Sequence, residues 1–330
     1  MQKISRDVLL DKALALLENN TVSCVLGWRA GEFDYDITPS VFADAADLKA
    51  NFVWNDFCGA NFSKYLVSRT RKCEGKILVF LKPCDTYSFN QLLTEHRFDR
   101  EKVYVIGVPC EGMADINRVK AITGDGISKI GFEADAMVVE TLYEDEPIRV
   151  SYEDALSERC QNCKSRRHVA YDELLGDEGE VVDSNRFDEV EKLEKMTPDE
   201  RFAFWQNELS RCIRCNACRD ACPACTCENC VFDNPKSSLE NKSPANSFEE
   251  KMFHIIRAFH VAGRCTDCGE CSRVCPQNIP LHLLNRKFIK DINEFYGDYQ
   301  AGAEVGSRAP LVDYKLDDLE AGEVFDRRDQ

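Results

Sequence analysis

Two cysteine runs constrain this chain more than anything else in it. The first, CIRCNACRDACP, sets Cys212, Cys215, Cys218 and Cys222 before Pro223. The second, CTDCGECSRVCP, sets Cys265, Cys268, Cys271 and Cys275 before Pro276. Both follow C-x2-C-x2-C-x3-C-P at every position. Three thiols two residues apart on one tight loop can take three corners of one iron–sulfur cube. The fourth, carried off on the helix that follows, reaches a different cube. The spacing therefore joins Cys212, Cys215 and Cys218 with Cys275, and Cys265, Cys268 and Cys271 with Cys222, in two neighbouring 4Fe-4S clusters. Structural zinc also uses C-x2-C pairs, but it takes four ligands, usually as two pairs. It asks for neither a third cysteine two residues on nor the proline.

Eighteen cysteines in 330 residues exceed what packing needs. The opening Met1–Arg6 is no signal peptide, so the count argues for a compartment that keeps thiols reduced. The expectation is a cytoplasmic protein of an anaerobe. Apolar runs such as residues 77–81 are strand-sized, which argues against membrane insertion. Acidic residues outnumber basic ones 58 to 42, a net charge of −16. That balance disfavours nucleic acid as a partner and suits docking on a basic patch of another redox protein. Plain solubility explains it equally well. The length allows two cores.

Residues 4–18 carry helical periodicity, with Ile4, Val8, Leu10, Leu14 and Leu17 near one face. Strand-like runs follow at 21–27, 76–81, 102–108 and 135–142, and a helical run at 86–95 lies between the second and third. Strand, helix, strand is a βαβ unit, so residues 1–195 are expected to form an α/β domain with a parallel or mixed sheet. Neither G-x-G-x-x-G nor a P-loop occurs. Cys84 (KPCD) follows the first strand of the unit and Cys110 (VPCEG) the next. Neighbouring parallel strands end on one edge, so both thiols are expected at the crevice where open α/β sheets place ligands. Cys160 and Cys163 can complete a third cluster there; the alternative is ordinary buried cysteine. Cys225, Cys227 and Cys230 are surplus to the two runs. With Cys58, from a polar turn, they are candidates for a fourth cluster or a zinc ion, or are simple buried thiols.

Residues 172–200 are strongly acidic and read as a linker or solvated helix, with a boundary near Thr197-Pro198. Residues 196–300 then form a mostly α-helical dicluster domain, with helices over 199–211 and 249–262. Phe202, Phe204 and Trp205 are expected to pack beside the clusters, and His254 and His260 to be packing or surface residues. Residues 301–330 read as an acidic tail, mobile or partner-binding. No catalytic residue can be assigned.

LKPCD, GVPCEG and the C-x2-C of ERCQNCKSRRH resemble the beta-subunit family of deazaflavin-reducing hydrogenase and formate dehydrogenase, over roughly residues 20–180. Residues 199–290 resemble the α-helical dicluster ferredoxin domain of heterodisulfide reductase small subunits and fumarate reductase iron–sulfur subunits, at all eight cysteines. The resemblance implies FAD and at least one 4Fe-4S cluster in the first part. It implies an electron-transfer subunit of a hydrogenase, formate dehydrogenase or heterodisulfide-reductase-like complex, with other redox subunits and ferredoxin as partners. Arg166 and Arg167 are then candidates for holding flavin phosphates. The long Gly-rich opening of the deazaflavin-binding members is missing. The alternatives are a self-contained ferredoxin-linked flavin reductase and the iron–sulfur subunit of a sulfite reductase.

Overall fold

The structure, a computed structural model, describes residues 4–179, 185–234 and 247–312. Helix α1 (Arg6–Glu18) leads into a hairpin of β1 (Cys24–Ala30) and β2 (Ile37–Phe42). Helices α2 (Ala45–Asn51) and α3 (Ser63–Arg69) precede β3 (Ile77–Leu81), α4 (Pro83–Thr94) and β4 (Val103–Gly107). Next come α5 (Ile116–Thr123), β5 (Ile127–Phe132), β6 (Ala136–Thr141), β7 (Ile148–Ser151), α6 (Tyr152–Ala155), α7 (Glu158–Gln161) and β8 (Glu173–Leu174). The remainder is helical: α8 (Asp188–Glu194), α9 (Pro198–Ser210), α10 (Ala217–Asp220), α11 (Ser247–Val261), α12 (Glu270–Arg273) and α13 (Leu281–Tyr296). Among the described residues no helix is long and apolar enough to cross a membrane.

The main sheet has the order β2-β1-β3-β4-β8, with β1 and β2 antiparallel and the other neighbours parallel. It is the mixed sheet the βαβ pattern predicts. Its central strand β3 is Ile77-Leu78-Val79-Phe80-Leu81, fully buried along its length, as a strand covered on both faces must be. Around it Trp28 packs against Trp54, Phe62 and Phe80. The run at 135–142 is a strand, β6, but it belongs to a second, antiparallel sheet, β5-β6-β7, with its own small core. The burial face of α1 also departs from expectation. Leu9, Leu10, Ala13, Leu14 and Leu16 are buried, whereas Val8 is 48% exposed.

Two other expectations are corrected. The acidic stretch is not a free linker: Glu173 and Leu174 pair with Ile106 and Gly107 on β4. Helix α8 buries Val190 and Leu193 against Leu283 of α13, so it packs with the C-terminal helices and the helical part begins before Thr197. Nor do residues from 301 hang free. Gly302 has φ +74°, and a Cβ there would fall 1.8 Å from the Tyr87 carbonyl oxygen on α4. Ala301 and Ala309 are buried, and the Gly306 amide donates to Thr94 Oγ1 at 2.9 Å. The rest of the expected tail, 313–330, lies outside the described residues.

The N- and C-terminal parts are joined by buried charge. From α7, Arg159 pairs with Glu270 of α12 at 2.7 Å and donates to the Cys268 carbonyl at 2.9 Å and the Gly59 carbonyl at 3.0 Å. Arg286 of α13 pairs with Asp267 at 2.7 Å and donates to the Asn162 carbonyl at 3.2 Å. Ser88 and Thr266 share a hydroxyl hydrogen bond of 2.7 Å. Burial would raise the Glu270 carboxyl, but the Arg273 and Arg159 guanidiniums hold it down at about 2. Its contribution is therefore complete above the ordinary carboxylate value and is lost as pH falls through about 2. Removing one partner of a buried pair strands the other charge. Glu270→Ala is expected to cost ~3–5 kcal/mol in anaerobic denaturant unfolding. Glu133→Ala, which breaks an exposed pair with Arg149, is expected to leave the midpoint essentially unmoved.

Candidate iron–sulfur sites

The two cysteine runs fold as copies of one another. In each, the residue before the second cysteine and the residue after it are left-handed. Arg214 (φ 53°) and Asn216 (φ 63°) do this in the first, Asp267 (φ 56°) and Gly269 (φ 69°) in the second. This conformation is unfavourable for most L-residues, so its recurrence at matched positions marks a constraint on the loop. It wraps the backbone around the thiols: the Arg214 amide lies 3.4 Å from Cys212 Sγ. Gly269 is doubly required, because a Cβ there would lie 2.6 Å from Arg159 Cδ. Each loop ends in a one-turn helix, α10 or α12, and these two helices pack together. The fourth cysteine of each run leaves its helix beside the other loop.

The consequence is a crossed grouping. Cys212, Cys215, Cys218 and Cys275 line one cavity with Phe253 and His254. Cys222 sits instead with the second loop, packed in one cluster with Cys265, and burial above all, with Cys222 adding to it, raises the Cys265, Cys268 and Cys271 thiols. Burial pushes Cys218 and Cys268 up to about 12. His254 Nε2 lies 3.3 Å from Cys212 Sγ, and its Nδ1 has no hydrogen-bond partner among the described residues. Burial, then Arg257 and Arg214, lowers its pKa to about 3, so the ring is neutral and, in the tautomer protonated on Nε2, it donates to the sulfur. The reading of His254 as a packing residue is corrected. His260 is exposed. Asn285 Nδ2 approaches Cys271 Sγ at 3.6 Å. Of the aromatic trio, Trp205 packs against the hydrophobic cluster that includes Leu209, Cys218 and Cys271, Phe204 packs on α8, and Phe202 is exposed.

A third group of thiols forms at the sheet. Strands β3 and β4 are adjacent and parallel, and Cys84, Cys110, Cys160 and Cys163 line one cavity beyond their C-terminal ends. Cys84 is not a strand residue, because Pro83 starts α4 at once and places it in the first helical turn. Cys268 and Arg166 line the same cavity, so the second group of cysteines borders the third directly. Positive charge surrounds it. Lys82 is buried at the N-terminus of α4, where Nζ bonds the Ala60 carbonyl at 2.9 Å and pairs with Asp85 at 2.8 Å. Burial pushes Cys110 up to about 12, with Cys160 adding to the rise and Lys82 opposing it.

Cys225, Cys227 and Cys230 line a separate cavity with Lys64, Arg219 and Arg264. Cys58 is not part of it. It lies fully buried in the aromatic core of the sheet domain, where the Asn55 amide donates to its Sγ at 3.2 Å and burial pushes it up to about 12. Among the described residues no three His, Cys, Asp or Glu side chains converge on a single-ion position. Cys225 instead touches Cys222 and lowers it by donating to its sulfur. Arg167 is exposed, whereas Arg166 lines the cavity of the third group. One pair of thiols escaped the sequence reading: Cys24 and Cys73 lie 3.8 Å apart at the opposite edge of the sheet. Nothing in their spacing signals it.

Residues 208–279 match the 4Fe-4S dicluster domain family. Over most of its length the chain is similar to an F420-dependent formate dehydrogenase subunit beta from Methanocaldococcus jannaschii. The two are 24% identical over 332 residues, covering 83% of this chain and 86% of that one. An F420-dependent formate dehydrogenase 1 subunit beta from Methanococcus maripaludis is 23% identical, covering 89% and 92%. The succinate dehydrogenase iron-sulfur subunit of Bacillus subtilis is 25% identical over 141 residues, which cover 34% of this chain and 52% of that one. The chain is an iron–sulfur protein of electron transport whose helical C-terminal part carries a 4Fe-4S dicluster domain.

Proposed function

We propose that this protein is the electron-transfer subunit of a multi-subunit oxidoreductase of the formate dehydrogenase or hydrogenase type, and that it holds three 4Fe-4S clusters in a row. The ligands of the first are Cys212, Cys215, Cys218 and Cys275. Those of the second are Cys265, Cys268, Cys271 and Cys222. Those of the third are Cys84, Cys110, Cys160 and Cys163. The observation that carries this reading is the sharing of a wall: Cys268 belongs to the second group and also borders the cavity of the third.

The donor sets fit such groups. Cys212, Cys215, Cys218 and Cys275 line one cavity and Cys84, Cys110, Cys160 and Cys163 another, and thiolates are the soft ligands that iron–sulfur clusters take. His254 and Asn285 reach two of the sulfurs with N–H groups, a contact that favours the reduced form of a cluster. When bound, each cubane supplies single-electron acceptance and release. The chain's own part is to bury the sites, to supply these N–H donors, and to set Lys82 and Arg159 beside thiolates that would otherwise accumulate negative charge. The relatives named as formate dehydrogenase subunits support membership in a complex. The −16 net charge suits a partner with a basic face.

The resemblance also implies a flavin. Arg166 lines the third cavity beside Lys82 and Arg159, but those two are paired with Asp85 and Glu270, and Arg167 faces solvent. Cys58 is left out of the ligand set, and Cys225, Cys227 and Cys230 are not assigned a cluster.

Anaerobically purified full-length protein is expected to contain about twelve irons per chain. Cys110→Ser is expected to remove about four of them while the EPR signals of the other two clusters persist. An unchanged iron count in that variant would make Cys110 a packing residue and withdraw the third cluster. Cys58→Ala is expected to keep about twelve irons, and a loss of iron there would restore Cys58 as a ligand.

A further inference from the structure

Arg257 stands apart from the other buried arginines. Arg159 is matched by Glu270 and Arg286 by Asp267, each at 2.7 Å. Arg257, in the middle of α11, is 3% exposed, yet among the described residues no carboxylate pairs with it. Burying a guanidinium without a counter-charge costs several kcal/mol, so a helix that places one there must meet negative charge in some other form.

Its surroundings name that form. Nη2 donates to the Cys218 carbonyl at 2.9 Å, and Nε has no hydrogen-bond partner among the described residues. The groups whose charge acts on it are the sulfurs of Cys222, Cys271, Cys218 and Cys225. Cys271 receives a hydrogen bond from it. Cys218 belongs to the first proposed ligand set, and Cys222 and Cys271 to the second. One guanidinium therefore touches both sets, from the helix that enters the second loop.

We infer that Arg257 is a shared counter-ion, placed between the first and second clusters to hold both reduction potentials up together. The inference rests on the ligand sets proposed above. A cubane bound by four thiolates is anionic, and reduction adds one more negative charge. A fixed positive charge close by, in a buried site where charges act strongly, favours the reduced form. Because one charge serves both sets, its loss must move both potentials, and in the same direction. The third set, Cys84, Cys110, Cys160 and Cys163, does not contact Arg257 and provides an internal control.

The test is an EPR-monitored redox titration of the full-length protein, purified without oxygen, as wild type, Arg257→Gln and Arg257→Lys. With iron content unchanged, the Gln variant is expected to make reduction of both clusters at least ~10-fold less favourable, a fall of ~59 mV each at one electron. The third cluster is expected to stay where it is, and the Lys variant to remain within tenfold of wild type. Two unmoved potentials in an iron-replete Gln variant would overturn the inference, as would a shift in only one cluster. If the Gln variant fails to assemble, the Lys variant decides. It keeps the charge but not the two-nitrogen geometry, so a tenfold loss in the Lys variant would show that charge is not what Arg257 supplies. Absence of cluster signals from the wild type would be a different failure, that of the ligand sets themselves.

Discussion

The guanidinium of Arg159 ties the two halves of this molecule together at the point where their cysteines meet. It binds a carbonyl of the sheet domain, a carbonyl of the second cysteine loop and the carboxylate of Glu270. The next residue in the chain is Cys160 of the third group, and the carbonyl it binds in the loop is that of Cys268. Local docking therefore sets the relation between two cysteine groups far apart in sequence. Gly269, whose missing side chain leaves room for the Arg159 stem, belongs to the same joint. A joint made of buried ions is intolerant of partial loss, because each partner left behind is an unpaired charge. Such an interface holds position more than it adds stability.

Charge around the thiols follows one plan. The surface is acidic overall, with a net charge of −16, yet Lys82, Arg159 and Arg257 are all turned inward beside cysteines. Four thiolates brought together repel one another, and burial by itself favours the protonated form of a thiol. Buried cations offset this where water cannot. The same cations bias the potential of whatever is bound, which links the stability of the sites to their redox behaviour.

Much of this was legible in the sequence, for identifiable reasons. A covalent spacing such as C-x2-C-x2-C-x3-C acts over a few residues, so it predicts which thiols gather, and Cys275 does line a cavity with Cys212, Cys215 and Cys218. The apolar run of β3 and the βαβ alternation gave the mixed sheet and brought Cys84 and Cys110 to one edge. What stayed hidden depends on tertiary neighbours. His254 looks like any histidine on a helix until Cys212 is set against its ring. The acidic stretch reads as solvated because nothing local shows that Glu173 and Leu174 extend the sheet. Cys58 misled for the opposite reason: its polar, glycine-bearing turn suggests exposure, while Phe62 and Trp28 close the aromatic core around it.

The central claim is that three four-cysteine sites are filled in one chain. Native mass spectrometry of the anaerobically purified full-length protein tests it most directly, since it counts iron and inorganic sulfide together in the folded state. The mass excess over the apo chain is expected to correspond to about twelve irons and about twelve sulfides. An excess that stops at about eight of each would contradict the account, leaving two clusters and an empty sheet edge.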